Sequence, residues 1–363
     1  MTAGSRSATG TDTDTARGAG SATGTDTDTA RGAGSATGTD TDTARGAGSA
    51  GSLSESPAPG AGPVGETPAP GDMPRYAPQW LRLREPADAA ARSHELLDPL
   101  RIRLADRPGR RGTGLVVHDL GCGTGSMGRW LAPLLDGPQH WILHDHDPYL
   151  LHFAAAGAPR SAADGSRIEV TTQRGDLGRL TADALGGACL VTASALLDVL
   201  TREEIDTLAA ACVGAGVPAL LTLSVLGRVE LTPSHPLDAE IAAAFDAHQR
   251  RNGLLGPDAV TAASEAFGRL GATVRVQPSP WRLGAEHAEL AGEWLRGWVG
   301  AAVEQRPELA APADTYLRER LAQCEAGELR VLVGHSDLLA LPGGSGGTGP
   351  SGVRHTSGAG ERS

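Results

Sequence analysis

The stretch LVVHDLGCGTGSMGRW (115–130) constrains this chain more than any other. A short apolar, β-branched run ends in His118 and Asp119, three alternate glycines follow, and a helix-like stretch then begins. Gly121, Gly123 and Gly125 let the backbone turn sharply and approach a ligand with no Cβ in the way. By itself the turn is ambiguous, because Gly123, Gly125 and Gly128 also satisfy the G-x-G-x-x-G spacing of dinucleotide sites.

The same alternation continues downstream. WILHD (141–145), RIEVTT (167–172), ACLVTAS (188–194) and VPALLTLSV (217–225) are apolar runs of strand length. Helix-like spacing fills 126–135, 148–156 and 202–213. Short apolar strands separated by helices predict a parallel sheet covered on both faces. ATVRV (272–276) and LRVLVGHSDLLAL (329–341) are expected as two edge strands, which makes the sheet mostly parallel and seven-stranded. One further helix is expected at about 77–107 and a long helical stretch at 285–325. With 226–256, these form lid segments over the edge where ligands of such sheets bind.

The ends read differently. SATGTDTDTARGAG occurs three times in tandem from Ser7, Ser21 and Ser35, with alanine as its only apolar residue. Such repeats bury too little to offset the entropy of ordering. Residues 1–75 are therefore expected to be a disordered low-complexity tail, 76–342 the folded domain with its core at about 115–225, and 343–363 a second disordered tail.

Composition excludes several chemistries. Formal net charge is −11, which disfavours nucleic acid as a main partner. All 32 basic residues are arginine, so no Schiff base, P-loop lysine or lysine general base is available. The four cysteines form no CxxC pair, and Cys122 in the turn has no neighbour expected to activate it. The first residues lack an apolar signal core, and no apolar run approaches the roughly 20 residues of a bilayer span. The expectation is a cytoplasmic protein with a small-molecule substrate and no membrane partner.

Three aspartates resolve the glycine turn. Asp119 precedes Gly121 by two residues, where a carboxylate suits a ligand's amino group and repels a pyrophosphate. Asp145 closes the second strand, where a carboxylate can accept from both ribose hydroxyls. Asp176 follows the third strand, within reach of an adenine amino group. All three fall at one edge of one sheet. The segment resembles the class I methyltransferases that use S-adenosyl-L-methionine (SAM): DLGCGTG is similar to their glycine motif, HDHDP to their acidic ribose motif and GDL (175–177) to their adenine-side motif. The resemblance covers about 115–225 and implies an α/β, Rossmann-like three-layer sandwich. It also implies that Asp119, Gly121, Gly123 and Gly125 hold the methionine part, Asp145 the ribose with His146 beside it, and Asp176 with Leu177 the adenine. The segment TASALLDVL lacks the [DN]PP[YF] of enzymes that methylate base amino groups.

Other features have plainer readings. His144 and His146 fall on one face of a strand and Asp145 and Asp147 on the other, so no metal site is expected. His235 and His248, in the polar stretch after the fifth strand, are candidate catalytic residues. Trp281, Trp294 and Trp298 are expected to pack the lid. Arg84, Glu85, Asp88 and Arg92 read as i,i+4 pairs along one helix. The expected activity is methyl transfer to an O or N atom of a metabolite. The rivals are a nicotinamide-dependent oxidoreductase and a non-catalytic SAM-binding regulatory protein.

Overall fold

Alternating residues of the apolar runs face opposite ways, and each face collects its own layer of helices. The computed structural model describes residues 77–106, 114–175 and 180–343. The parallel strands are β1 (Leu115–Leu120), β2 (Gln139–Asp145), β3 (Ile168–Arg174), β4 (Leu190–Ser194) and the start of β5 (Ala219–Thr232). Helices α1 (Pro78–Ala91), α2 (Leu97–Ala105), α3 (Ser126–Leu131), α4 (Pro148–Ala156) and α5 (Arg202–Gly214) come before or between them. Then follow α6 (Asp238–Gln249), α7 (Ala259–Arg269), β6 (Thr273–Pro278), β7 (Trp281–Leu283), α8 (Ala288–Gln305), α9 (Ala310–Glu325) and β8 (Arg330–Leu341).

Leu190, Leu220 and Leu339 pack into one buried cluster with Leu100 of α2 and Met127 of α3. Their chain neighbours Val191, Leu221 and Leu338 pack into another with Ile205 of α5 and Phe267 of α7. This period-two division of apolar residues between two helical layers makes the molecule a three-layer, Rossmann-like α/β sandwich. A third cluster joins α1, α6, α8 and α9 over the outer half of the sheet, with Trp80, Trp281, Trp294 and Trp298 inside it. The three downstream tryptophans, expected to pack a lid, lie buried together in this cluster.

Among the described residues the sheet has eight strands, in the order β3-β2-β1-β4-β5-β8-β6, with β7 pairing β8 beside that path. Two expectations need correction. The strand at 329–341 is an inner strand, antiparallel to both β5 and β6. It is buried along most of its length, and its apolar residues come in two unbroken runs, Val331–Val333 and Leu338–Leu341, on either side of the buried polar residues His335, Ser336 and Asp337. The eighth strand, Trp281–Leu283, has three residues, too few for a period to register.

Boundaries differ for local reasons. The helix expected over 77–107 breaks at Arg92, which takes an extended conformation (ψ 134°), and the next amide, Ser93 N, donates to Asp337 Oδ2 at 2.7 Å. The stretch 285–325 divides into α8 and α9 around Pro307. Strand β5 continues past 225 to Thr232, with register shifts between Leu221 and Ser224 and between Val225 and Val229. Leu223 lies in the left-handed region (φ 57°) at the first shift, and its amide donates to Asp337 Oδ1 at 2.8 Å. A branched residue in that conformation costs on the order of 1–3 kcal/mol and persists only where its surroundings impose it. No helix among the described residues is long and apolar enough to cross a membrane.

Candidate functional site

The turn after β1 is built on three glycines with φ of 58°, 54° and 87° at 121, 123 and 125. A Cβ at Gly121 would lie 2.8 Å from Leu196 Cδ1, and one at Gly125 would lie 3.2 Å from Ala154 Cα. Both dihedral angle and space therefore require glycine. Cys122 N donates to His144 O, which ties the turn to β2. Burial and the carboxylates of Asp119 and Asp145 raise the Cys122 thiol pKa, so the cysteine is a packing residue.

Asp119 is fully buried below this turn. Its Oδ1 accepts from Thr192 Oγ1 on β4 at 2.7 Å, while Oδ2 has no hydrogen-bond partner among the described residues. Burial pushes its carboxyl up to about 7, against the Thr192 hydrogen bond and the nearby Arg92 guanidinium. Asp145 is also buried, and its two oxygens accept from Gly123 N and Asp147 N, each at 2.9 Å. Burial raises this carboxyl too, with the two amides pulling it back. A carboxylate has about four lone-pair positions, so Asp145 retains capacity for two hydroxyl donors. His146 lies alongside, Nδ1 3.4 Å from Asp145 Oδ1, with its Nε2 buried and unpartnered among the described residues.

The structure thus brings Asp119, Gly121, Gly123, Gly125, Asp145 and His146 together. Asp176 and Leu177 lie outside the described residues. His235 lies between β5 and α6, and His248 lies in α6. His235 Nδ1 accepts from Leu237 N and its ring packs edge-on against Tyr316. His248 is buried, with Nε2 3.1 Å from Glu304 Oε2 and Nδ1 in contact with the Arg251 guanidinium. Neither ring contacts the glycine turn in these interactions. His144 pairs with His118 instead of His146, across β1 and β2, with ring nitrogens 3.0 Å apart. Among the described residues no group of three or more His, Cys, Asp or Glu is placed to hold a metal ion.

Sequence reasoning missed Arg92. Its side chain is 2% exposed, donates from Nη2 to Ser126 Oγ (3.2 Å) and Ser194 Oγ (3.0 Å), and lies over the Trp130 ring. Its Nε and Nη1 have no hydrogen-bond partner among the described residues. Desolvation lowers its pKa, and the carboxylates of Asp88, Asp337 and Asp119 counter this. Helix α1 places it there. Leu81 covers Gly123, and Glu85 holds Arg129 of α3 through two contacts of 2.6 Å. The signal was the spacing of Arg84, Asp88 and Arg92, four residues apart, which on a surface helix means only ion pairing. An unpaired carboxylate oxygen and two unpaired guanidinium nitrogens, buried beside a side-chain-free turn, complement a zwitterion: ammonium on Asp119, carboxylate on Arg92.

No family model and no curated protein matches the chain. Solved structures similar to it include a cyclopropane synthase from Mycobacterium tuberculosis, at 14% identity and TM-score 0.40, covering 73% of this chain and 94% of that one. A SAM-dependent methyltransferase from Geobacter sulfurreducens in complex with S-adenosyl-L-homocysteine gives 18% identity and TM-score 0.38, covering 74% and 99%. An arsenic(III) S-adenosylmethionine methyltransferase from Chlamydomonas reinhardtii gives 18% identity and TM-score 0.33, covering 67% and 73%. The functional reading rests on the site's own geometry.

Proposed function

We propose that this chain is a SAM-dependent methyltransferase that transfers a methyl group to an O or N atom of a small-molecule metabolite. One observation carries the reading: Asp119 Oδ2 and the Nε and Nη1 of Arg92 are buried, opposite in charge and unpartnered among the described residues beside the glycine turn. An amino-acid head group would satisfy both at once, and Asp145 adds a carboxylate for a ribose diol. A nicotinamide dinucleotide fits less well, since its pyrophosphate would meet the buried Asp119 and Asp145 carboxylates. Asp176 and Leu177 complete the proposal on the adenine side.

When bound, SAM supplies an electrophilic methyl on a sulfonium. The chain's own task is positioning, and well-oriented geometry is worth roughly 7–11 kcal/mol in such reactions. Asp119, Arg92 and Asp145 hold the donor, while α1 and the tryptophan-rich lid exclude water. His235 and His248 enter as candidate proton acceptors on the lid. Each is held by lid residues, so either role requires lid movement toward the acceptor.

The test is calorimetry with SAM and S-adenosyl-L-homocysteine, with NAD as control, followed by S-adenosyl-L-homocysteine release on a metabolite panel. Binding of NAD alone would reject the reading; binding of SAM with no release on any acceptor would favour the regulatory alternative. Asp145→Ala is expected to weaken SAM affinity about 10- to 100-fold, the loss of charge-assisted bonds worth about 1.5–3 kcal/mol. Unchanged affinity would remove Asp145 from the site.

A pH dependence follows from Asp119. Its folded carboxyl titrates near 7, and an ammonium partner favours the ionised form. Binding should therefore release a proton below about pH 7, and affinity should rise as pH increases from 5.5 to 7.5. Calorimetry at pH 6 in two buffers of different ionisation enthalpy measures that release directly; zero release would show that Asp119 does not receive the ammonium.

A further inference from the structure

Polar side chains without partners gather where the turn after β4 meets α6. Asp198, in that turn (Leu197–Val199), is 8% exposed, and its Oδ1 has no hydrogen-bond partner among the described residues. Gln249, at the end of α6, is 6% exposed, and its Oε1 is unpartnered in the same sense. Asp246 stands three residues before Gln249, on the same side of the helix, and is half-buried.

Backbone contacts bring these three together. The short turn Gly256–Asp258 packs against the turn Leu197–Val199, against β5 and against α6. Just before it the two chains pair, Leu255 N donating to Leu200 O at 2.9 Å. A Cβ at Gly256 would lie 3.0 Å from Gln249 Cβ, so Gln249 rests on this turn. Asp246 rests on β5 in the same way: a Cβ at Gly227, within the second register shift of the strand, would lie 2.5 Å from Asp246 Oδ2. Bulges of this kind are common beside active sites, where they re-aim a strand. Asp198, Gln249 and Asp246 therefore share one junction of β5, α6 and the two turns. It adjoins the donor site, because Leu196, two residues before Asp198, packs over Gly121.

The adjacent cation is engaged elsewhere. Arg250 turns its guanidinium to Asp258, at 2.7 and 3.0 Å, and meets Asp246 at the backbone oxygen, 3.3 Å away. Asp198 Oδ1, Gln249 Oε1 and the Asp246 carboxylate all offer acceptor oxygens, so the partner they lack is a donor. A primary ammonium carries three N–H donors and no acceptor, whereas a hydroxyl has one donor and would turn its own lone pairs toward the three oxygens. Burial raises both carboxyls, that of Asp246 to about 6, and a cation seated between them favours their ionised forms.

Building on the donor assignment, we infer that Asp198, Gln249 and Asp246 form the acceptor subsite and anchor the methyl acceptor by a primary ammonium group. The ammonium stays protonated and serves as a handle, while another atom of the same molecule faces the sulfonium methyl. The substrate class is thus a small molecule that carries both an amine and a second nucleophilic O or N atom.

The test uses the full-length protein saturated with S-adenosyl-L-homocysteine and isosteric pairs: tyramine against tyrosol, and ethanolamine against ethylene glycol. In calorimetry at pH 7.5 the amine of at least one pair is expected to bind about 10-fold or more tightly than its alcohol. Asp246→Asn, at a half-buried position, should cut that preference below about 3-fold while leaving S-adenosyl-L-homocysteine affinity unchanged. Gln249→Met should weaken the amine about 10-fold without lowering the melting temperature, because the oxygen it removes has no partner among the described residues. No preference in any pair, including no binding at all, overturns the subsite whether or not the variants fold. A preference retained in Asp246→Asn does the same, as does a fall in melting temperature beyond about 5 °C in Gln249→Met. Absence of heat with S-adenosyl-L-homocysteine itself would strike the donor assignment, and this subsite with it, so the two failures separate.

Discussion

Arg92→Met is expected to lower SAM affinity about 30-fold or more while leaving the ligand-free protein about as stable as before. Methionine keeps much of the length and apolar stem but removes the two unpaired guanidinium nitrogens. One charge-assisted hydrogen bond to the carboxylate is lost with the charge itself, and removing one partner of such a buried pair costs about 2–5 kcal/mol. Stability should behave differently. A buried arginine with two unpartnered nitrogens carries a desolvation penalty, and replacing such a charge by an apolar side chain is often neutral or stabilising. Asp337 keeps its two backbone donors, and Asp119 can hold its proton once the nearby cation is gone. The melting temperature is expected within about 3 °C of the parent. Normal SAM affinity, or a drop in melting temperature beyond 10 °C, would make Arg92 a structural residue.

The second large effect concerns the packing of α8 against α9. Trp298 is 1% exposed, stacks on Trp294 with ring centres 5.0 Å apart, and tilts against Tyr316 at 6.5 Å. Trp298→Ala leaves a cavity the surrounding helices can fill only in part, costing about 3–5 kcal/mol. At about 2–4 °C per kcal/mol for a domain of this size, melting should fall by roughly 10 °C. Scanning calorimetry checks it. A fall under 3 °C would mean that α8 and α9 contribute little to the cooperative unit.

The donor half was legible because its signals are local. Three glycines two residues apart, an aspartate at a strand end and an apolar run before each turn are short-range patterns. The structure keeps Asp119, Asp145 and the turn where those patterns imply. The outer half was less legible. Strand β8 was expected at an edge, although its two unbroken apolar runs, Val331–Val333 and Leu338–Leu341, already fitted a strand covered on both faces. Arg84, Asp88 and Arg92 looked like surface ion pairs because spacing alone does not report burial.

What the chain's order of residues determined is the alternation of strand and helix and the glycine bend, since backbone conformation and period-two burial depend on neighbours a few positions apart. Tertiary structure alone decided which charges face one another. Arg92 meets Ser194 across 102 positions, and Ser93 meets Asp337 across 244. Contacts at such separations depend on how helices dock over a sheet, and only there does an arginine become a buried, unpaired counter-ion.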